Sequence, residues 1–170
     1  MSQATDVLKQ EHKEVLGKLD TFEKALEDLG DRARASRPLE ELTRFFDKDF
    51  WVHFGKEEDA LFPELEKFIP RNAGPIGIML MEHEDLRRTN DEIQRAAASY
   101  LAGNNDTPNR EKLQDSGRHF IAVLRDHIFK EDNILFSMAD AHLDAAQAAA
   151  VLRRFAEIEK PEAGSRAGKV

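Results

Sequence analysis

Six ionisable side chains sit where an apolar core should be. His12, His53, His83 and His127 each fall in a stripe of leucine and phenylalanine spaced three and four residues apart. Glu57 follows His53 by four residues, and Glu131 follows His127 by four. On a helix, residues i and i+4 lie on one face, stacked one above the other. Both glutamates therefore point into the same interior as the histidines. A buried ionised carboxylate is costly unless it is paired or binds a cation. Two carboxylates among four imidazoles share one explanation: a pair of metal ions, with glutamate supplying charge and neutral imidazole completing the coordination. A single histidine in an apolar stripe is ordinarily a hydrogen-bonded core residue. Four of them, two with an i+4 glutamate, do not fit that description.

Internal repetition strengthens the reading. Residues 53–63 run HFGKEEDALFP and residues 127–137 run HIFKEDNILFS, an offset of 74. Glu11-His12 recurs as Glu82-His83, an offset of 71. The chain thus reads Glu-His, then His-x-x-x-Glu, twice over. Two similar halves suit a pseudo-twofold bundle with a binuclear site on its axis, bridged by Glu57 and Glu131. The carboxylate type of di-iron bundle requires Glu-x-x-His on two helices. The residues three before each histidine are Lys9, Phe50, Leu80 and Leu124, so that type is excluded. No His-Glu-x-x-His run is present, which excludes the corresponding zinc hydrolases.

Helices must position these groups. The periodicity predicts helices over 4–29, from Pro38 to about Phe62, over 75–102 and over 109–138, with a shorter alanine-rich one over 143–158. Asp31–Arg37 reads as a polar linker, and Glu64–Ile69 as a further turn beyond Pro63. The runs 70–75 and 103–108 are breaks rich in Gly, Pro and Asn. Four long helices with short connections predict an all-α, up-down-up-down four-helix bundle with a short extra C-terminal helix. Residues 1–160 form one expected domain, and 161–170 a disordered tail.

Composition bounds the rest. Hydrophobic residues make up 41% and charged residues 34%, enough for a core and a solvated surface. A net charge of −8 disfavours nucleic-acid binding. The absence of cysteine removes disulfides, thiolate zinc sites, iron–sulfur ligation and cysteine nucleophiles. No apolar run is long enough for a membrane span or a signal core, so a cytoplasmic location without a membrane partner is expected.

The motif set resembles the hemerythrin family, and more closely its bacterial His-His-Glu branch, over about residues 8–138. The runs Glu57-Glu-Asp-Ala-Leu-Phe-Pro63 and Glu131-Asp-Asn-Ile-Leu-Phe136 are typical of that branch. The resemblance implies that His12, His53, Glu57, His83, His127 and Glu131 hold two non-haem iron ions, oxo- or hydroxo-bridged when oxidised. On donor chemistry alone, manganese or zinc also suits the site. Oxygen-carrying members have His-x-x-x-His on the third helix, whereas His83 is followed at that spacing by Arg87. Those members also place an aspartate five residues after the last histidine. Asp132 stands there, but Glu131 repeats the pattern of the second helix and is the expected ligand, with Asp132 a lesser candidate and more simply a solvated acid. The missing histidine leaves an open iron pair and argues against plain oxygen transport.

Four functions follow as expectations. The first is binding of dioxygen or nitric oxide for sensing, scavenging or storage. The second is enzymatic, peroxide disproportionation. The third is labile iron storage or donation, and the fourth a structural bundle with incidental metal. His119 lies eight residues before His127, about 12 Å along a helix, and is expected at the rim. Glu11 and Glu82, beside His12 and His83, are candidates to support the site's histidines, with surface acids the simpler expectation, and His142 is expected to be exposed. Glu58 is expected to be solvated or a partner to the site, and Arg87 to pair with Asp49 or Glu58 or to cap the site.

Overall fold

A computed structural model describes residues 3–160. The expected tail, 161–170, lies outside the described residues. The described chain is all-α. Helix α1 is Gln3–Glu27. Helix α2 runs through 32–65, and α3 is Pro75–Leu101. Helix α4 runs through 107–142, and α5 is Ala145–Glu159. Each of the first four packs on its neighbour in sequence, and α4 closes the ring on α1. This is the expected up-down-up-down bundle. Helix α5 lies across α1 and α2.

The segment expected as a linker is helical. Asp31 caps α2 by accepting a hydrogen bond from the Arg34 amide, and Ala35 and Leu39 are buried against the bundle. Pro38 is therefore inside the helix, on a stretch whose outer residues are exposed. The extra turn expected after Pro63 is present. The α-helix stops at Leu65, and the Ile69 amide donates back to the Leu65 carbonyl. Helix α4 extends four residues past its expected end, to His142.

Two helices widen at the glutamates. In α2 the segment Glu57–Leu61 is a π-helix, with the Phe62 amide donating to the Glu57 carbonyl. In α4 the segment Glu131–Leu135 is the same, with Phe136 donating to Glu131. The buried residues explain this. His53, Glu57, Leu61 and Leu65 step by four, and so do His127, Glu131, Leu135 and Ala139. Three steps of four would drift by about 120° around a regular α-helix. A π turn absorbs the drift and keeps all four on the core face, and such turns concentrate at functional sites. A third π segment, Phe45–Asp49, frees the Phe46 carbonyl, which accepts from Trp51 Nε1 at 2.8 Å and Asn90 Nδ2 at 3.0 Å.

The hydrophobic core is in two clusters on either side of the polar cage. One contains Phe22, Phe46, Phe54, Tyr100 and Phe120. The other contains Leu8, Phe62, Ile76, Phe136 and, from α5, Phe155. Helix α4 approaches α1 closely at Gly117, where a Cβ would stand 2.6 Å from a Leu26 methyl carbon. Among the described residues, no helix is long and apolar enough to cross a membrane.

Candidate metal centre

The six sequence-predicted side chains converge at the waist of the bundle, and all are buried. His12 comes from α1, His53 and Glu57 from α2, His83 from α3, and His127 and Glu131 from α4. They form two overlapping groups, His12–His53–Glu57–Glu131 and His83–His127–Glu57–Glu131. Within each group, one donor atom per residue lies within 4.8 Å of the others.

The glutamates divide their oxygens between the two halves. Glu57 Oε1 lies 3.0 Å from His53 Nε2, and its Oε2 lies 3.2 Å from His83 Nε2. Glu131 Oε1 lies 2.7 Å from His127 Nε2, and its Oε2 lies 3.1 Å from His12 Nε2. Bonds of about 2.0–2.2 Å to a first-row metal put adjacent ligand atoms roughly 3 Å apart. None of the four carboxylate oxygens has a hydrogen-bond partner, despite burial. Carboxylates are ordinarily not left this way inside a protein.

Proton placement supports a cation. His12 Nδ1 is 2.7 Å from Asp132, His83 Nδ1 is 3.1 Å from Glu58, and His127 Nδ1 is 2.7 Å from Glu82. Those carboxylates assign the ring proton to Nδ1, so Nε2 presents a lone pair to the interior. His83 Nε2 and His127 Nε2 then face each other at 3.2 Å, and His12 Nε2 faces His53 Nε2 at 3.0 Å. The inward lone pairs of His12, His83 and His127, set beside the buried carboxylates, call for positive charge between them. The titration of the cage expresses the same demand. Burial opposes charge on His53 and His127, yet Glu57 and Glu131 respectively outweigh it and hold both imidazoles up to about 10. Burial likewise opposes the Glu131 carboxylate, and the neighbouring His127 holds it well below the usual range. A proton or a metal ion can satisfy that demand.

The acids around the cage differ from the simpler sequence expectation. Asp132 is not a solvated acid but the partner of His12. Glu11 and Glu82 are not surface acids either. Glu82 joins His127 to Lys130, and Glu11 is held by Lys56 at 2.9 and 3.0 Å with His53 Nδ1 at 3.5 Å. Arg87 takes the Glu58 partner, with both oxygens at 2.8 Å, and stands over the rings of Trp51 and Phe54. Burial works against the Glu58 anion, but His83 and Arg87 bring it down to about 2. Phe54 stacks on His83 at 3.6 Å between centroids. His119 lies away from the cage and pairs with Asp85 at 2.8 Å, as a rim histidine would. His142 is exposed.

A signal for the supporting acids was present in the chain. Each adjoins one cage residue in sequence (Glu11-His12, Glu57-Glu58, Glu82-His83, Glu131-Asp132) and faces a different one in space.

An all-α bundle with a buried histidine–glutamate cage defines a class, the helical cation-binding proteins. The chain belongs to the hemerythrin HHE cation-binding domain family, whose model matches residues 3–139. It is 30% identical over 87 residues to the iron-sulfur cluster repair protein DnrN of Neisseria gonorrhoeae, covering 51% of this chain and 55% of that one. It is 26% identical over 110 residues to the iron-sulfur cluster repair protein YtfE of Enterobacter sp. (strain 638), covering 64% and 50%. It is 31% identical over 108 residues to YtfE of Yersinia pestis (strain Pestoides F), covering 63% and 45%. The matched stretch spans about half the length of these relatives.

Proposed function

We propose that His12, His53, Glu57, His83, His127 and Glu131 hold two non-haem iron ions, and that the pair binds a small diatomic ligand, dioxygen or nitric oxide. One observation carries the reading: each glutamate gives one oxygen to each histidine pair. Two imidazoles and two carboxylate oxygens per ion make four protein donors. Octahedral ions take about six, so positions remain for an exogenous ligand. Arg87 stands where a further histidine would close the set, and its guanidinium is committed to Glu58 and Glu84. Iron supplies the accessible redox change and the affinity for dioxygen and nitric oxide that imidazole and carboxylate lack. The protein's own part is to fix the donors, hold the ring protons outward on Nδ1 and exclude bulk water.

The test is spectral. Reduced, iron-loaded protein is exposed to nitric oxide or dioxygen, then purged. A spectral change that reverses on purging is expected. A single irreversible oxidation with no bound state overturns ligand binding.

The names of the relatives favour a second reading, in which the iron is cargo for iron–sulfur cluster repair. Transfer of iron from loaded protein to an iron-depleted cluster protein, faster than from free ferrous iron, supports it. A transfer no faster than that opposes it.

A further inference from the structure

The two halves of the cage are related by the sequence repeat, but their surroundings are not. In one half, Glu82 gives Oε2 to His127 at 2.7 Å and Oε1 to Lys130. In the other, Glu11 gives both oxygens to Lys56, at 2.9 and 3.0 Å, and His53 Nδ1 is left at 3.5 Å. His53 Nδ1 is buried and without a hydrogen-bond partner, unlike Nδ1 of the other three ligand histidines.

Helix α5 covers one of the two lysines and not the other. Lys56 is 4% exposed, its ammonium is ion-paired with Glu159, and it lies over the Phe155 ring. Lys130 has Asp126 as its further partner and is 28% exposed. Beside Lys56 opens a cleft of about 650 Å³ between α1 and α5. Asp6, Glu11, Glu14 and Glu159 line it against the single cation Lys56. Such a lining lowers the electrostatic energy of an incoming cation.

We propose that the two metal positions are unequal: Lys56 draws Glu11 off His53, and the metal on the His12–His53 side, the side next to the acid-lined cleft, exchanges faster than the other. The inference rests on the two-metal reading above. Lys56 is a positioning residue. A histidine ligand whose outer nitrogen lacks its acceptor is less basic and less well oriented, and loss of such partners costs roughly 10- to 100-fold in metal affinity.

The experiment is chelator-driven release from iron-loaded full-length protein, with loading measured first. Wild type is expected to release its metals in two phases of equal amplitude. Lys56→Met frees Glu11 for His53, and the fast phase slows by about tenfold or more. Glu159→Gln leaves Lys56 to Glu11 alone, and the fast phase is as fast as in wild type or faster. A merely structural role would accelerate release in both variants. Should Lys56→Met fail to fold, Glu82→Ala decides, because it creates a second partnerless Nδ1. There the slow phase is expected to merge with the fast one, and two separate phases would overturn the inference. Two metals per chain released at one common rate, or faster release from Lys56→Met, overturns it while leaving the two-metal reading intact. Loading well below two metals overturns both.

Discussion

In three of the four cage histidines the two ring nitrogens divide two tasks. Nε2 faces the cage, and Nδ1 of His12, His83 and His127 is held by an acid that fixes the tautomer and orientation, whereas His53 Nδ1 stands 3.5 Å from Glu11. Predictions at this scale separate the tasks. Glu57→Ala removes one oxygen from each half, so loss of both metals is expected from metal analysis of the purified variant, and retention of one full metal would contradict bridging. Asp132→Asn keeps the shape but removes the anion beside His12, and about 10- to 100-fold weaker metal binding is expected in a competition titration. Binding must also displace protons. His53 and His127 keep theirs up to about 10 in the metal-free chain, so metal uptake near neutral pH is expected to release protons and to strengthen as pH rises toward that value. Calorimetry in buffers of different ionisation enthalpy measures the release, and a buffer-independent heat would contradict it. The convergence of six buried side chains was legible in the sequence because an i+4 pair and an apolar stripe are local patterns. Their supporting acids were harder to read. The pairs His12–Asp132 and His127–Glu82 join residues 120 and 45 apart, and only packing brings them together.

At the scale of elements, the sequence showed four long helices and a short one, but not how they widen or begin. The four-residue steps from His53 to Leu65 and from His127 to Ala139 were visible as a pattern. Their consequence, a π turn at each glutamate, needs the knowledge that all eight residues are buried. Helix α2 starts not at Pro38 but at the Asp31 cap seven residues earlier, because a proline with an exposed outer face is tolerated in the first turns. Helix α5 lies beyond the segment that matches the family, 3–139, yet it contributes Val151 and Phe155 to the second core cluster. Phe155→Ala is expected to cost about 3–5 kcal/mol of stability, measured by denaturant unfolding. A change below about 1 kcal/mol would show that α5 is only laid on the bundle.

Across the whole molecule, the polar cage separates two hydrophobic clusters, so the cation demand is a stability term for the entire bundle. In the metal-free protein, protons stand in for the metal. His53 and His127 have folded-state values raised above the ordinary 6.5, to about 10. Their contribution to stability is complete below 6.5 and is lost as pH rises through about 10. Thermal unfolding of metal-free protein is expected to weaken across that window, while the metal-loaded protein stays level and more stable throughout. Equal stability of the two forms would return the bundle to a structural role with incidental metal. The most direct test of the central claim is iron stoichiometry of purified wild type beside Glu57→Ala and Glu131→Ala, each confirmed as helical. Two irons per chain in wild type and fewer than one in either variant are expected. One iron in wild type, or a full iron or more retained in either variant, would contradict a paired site bridged by these glutamates.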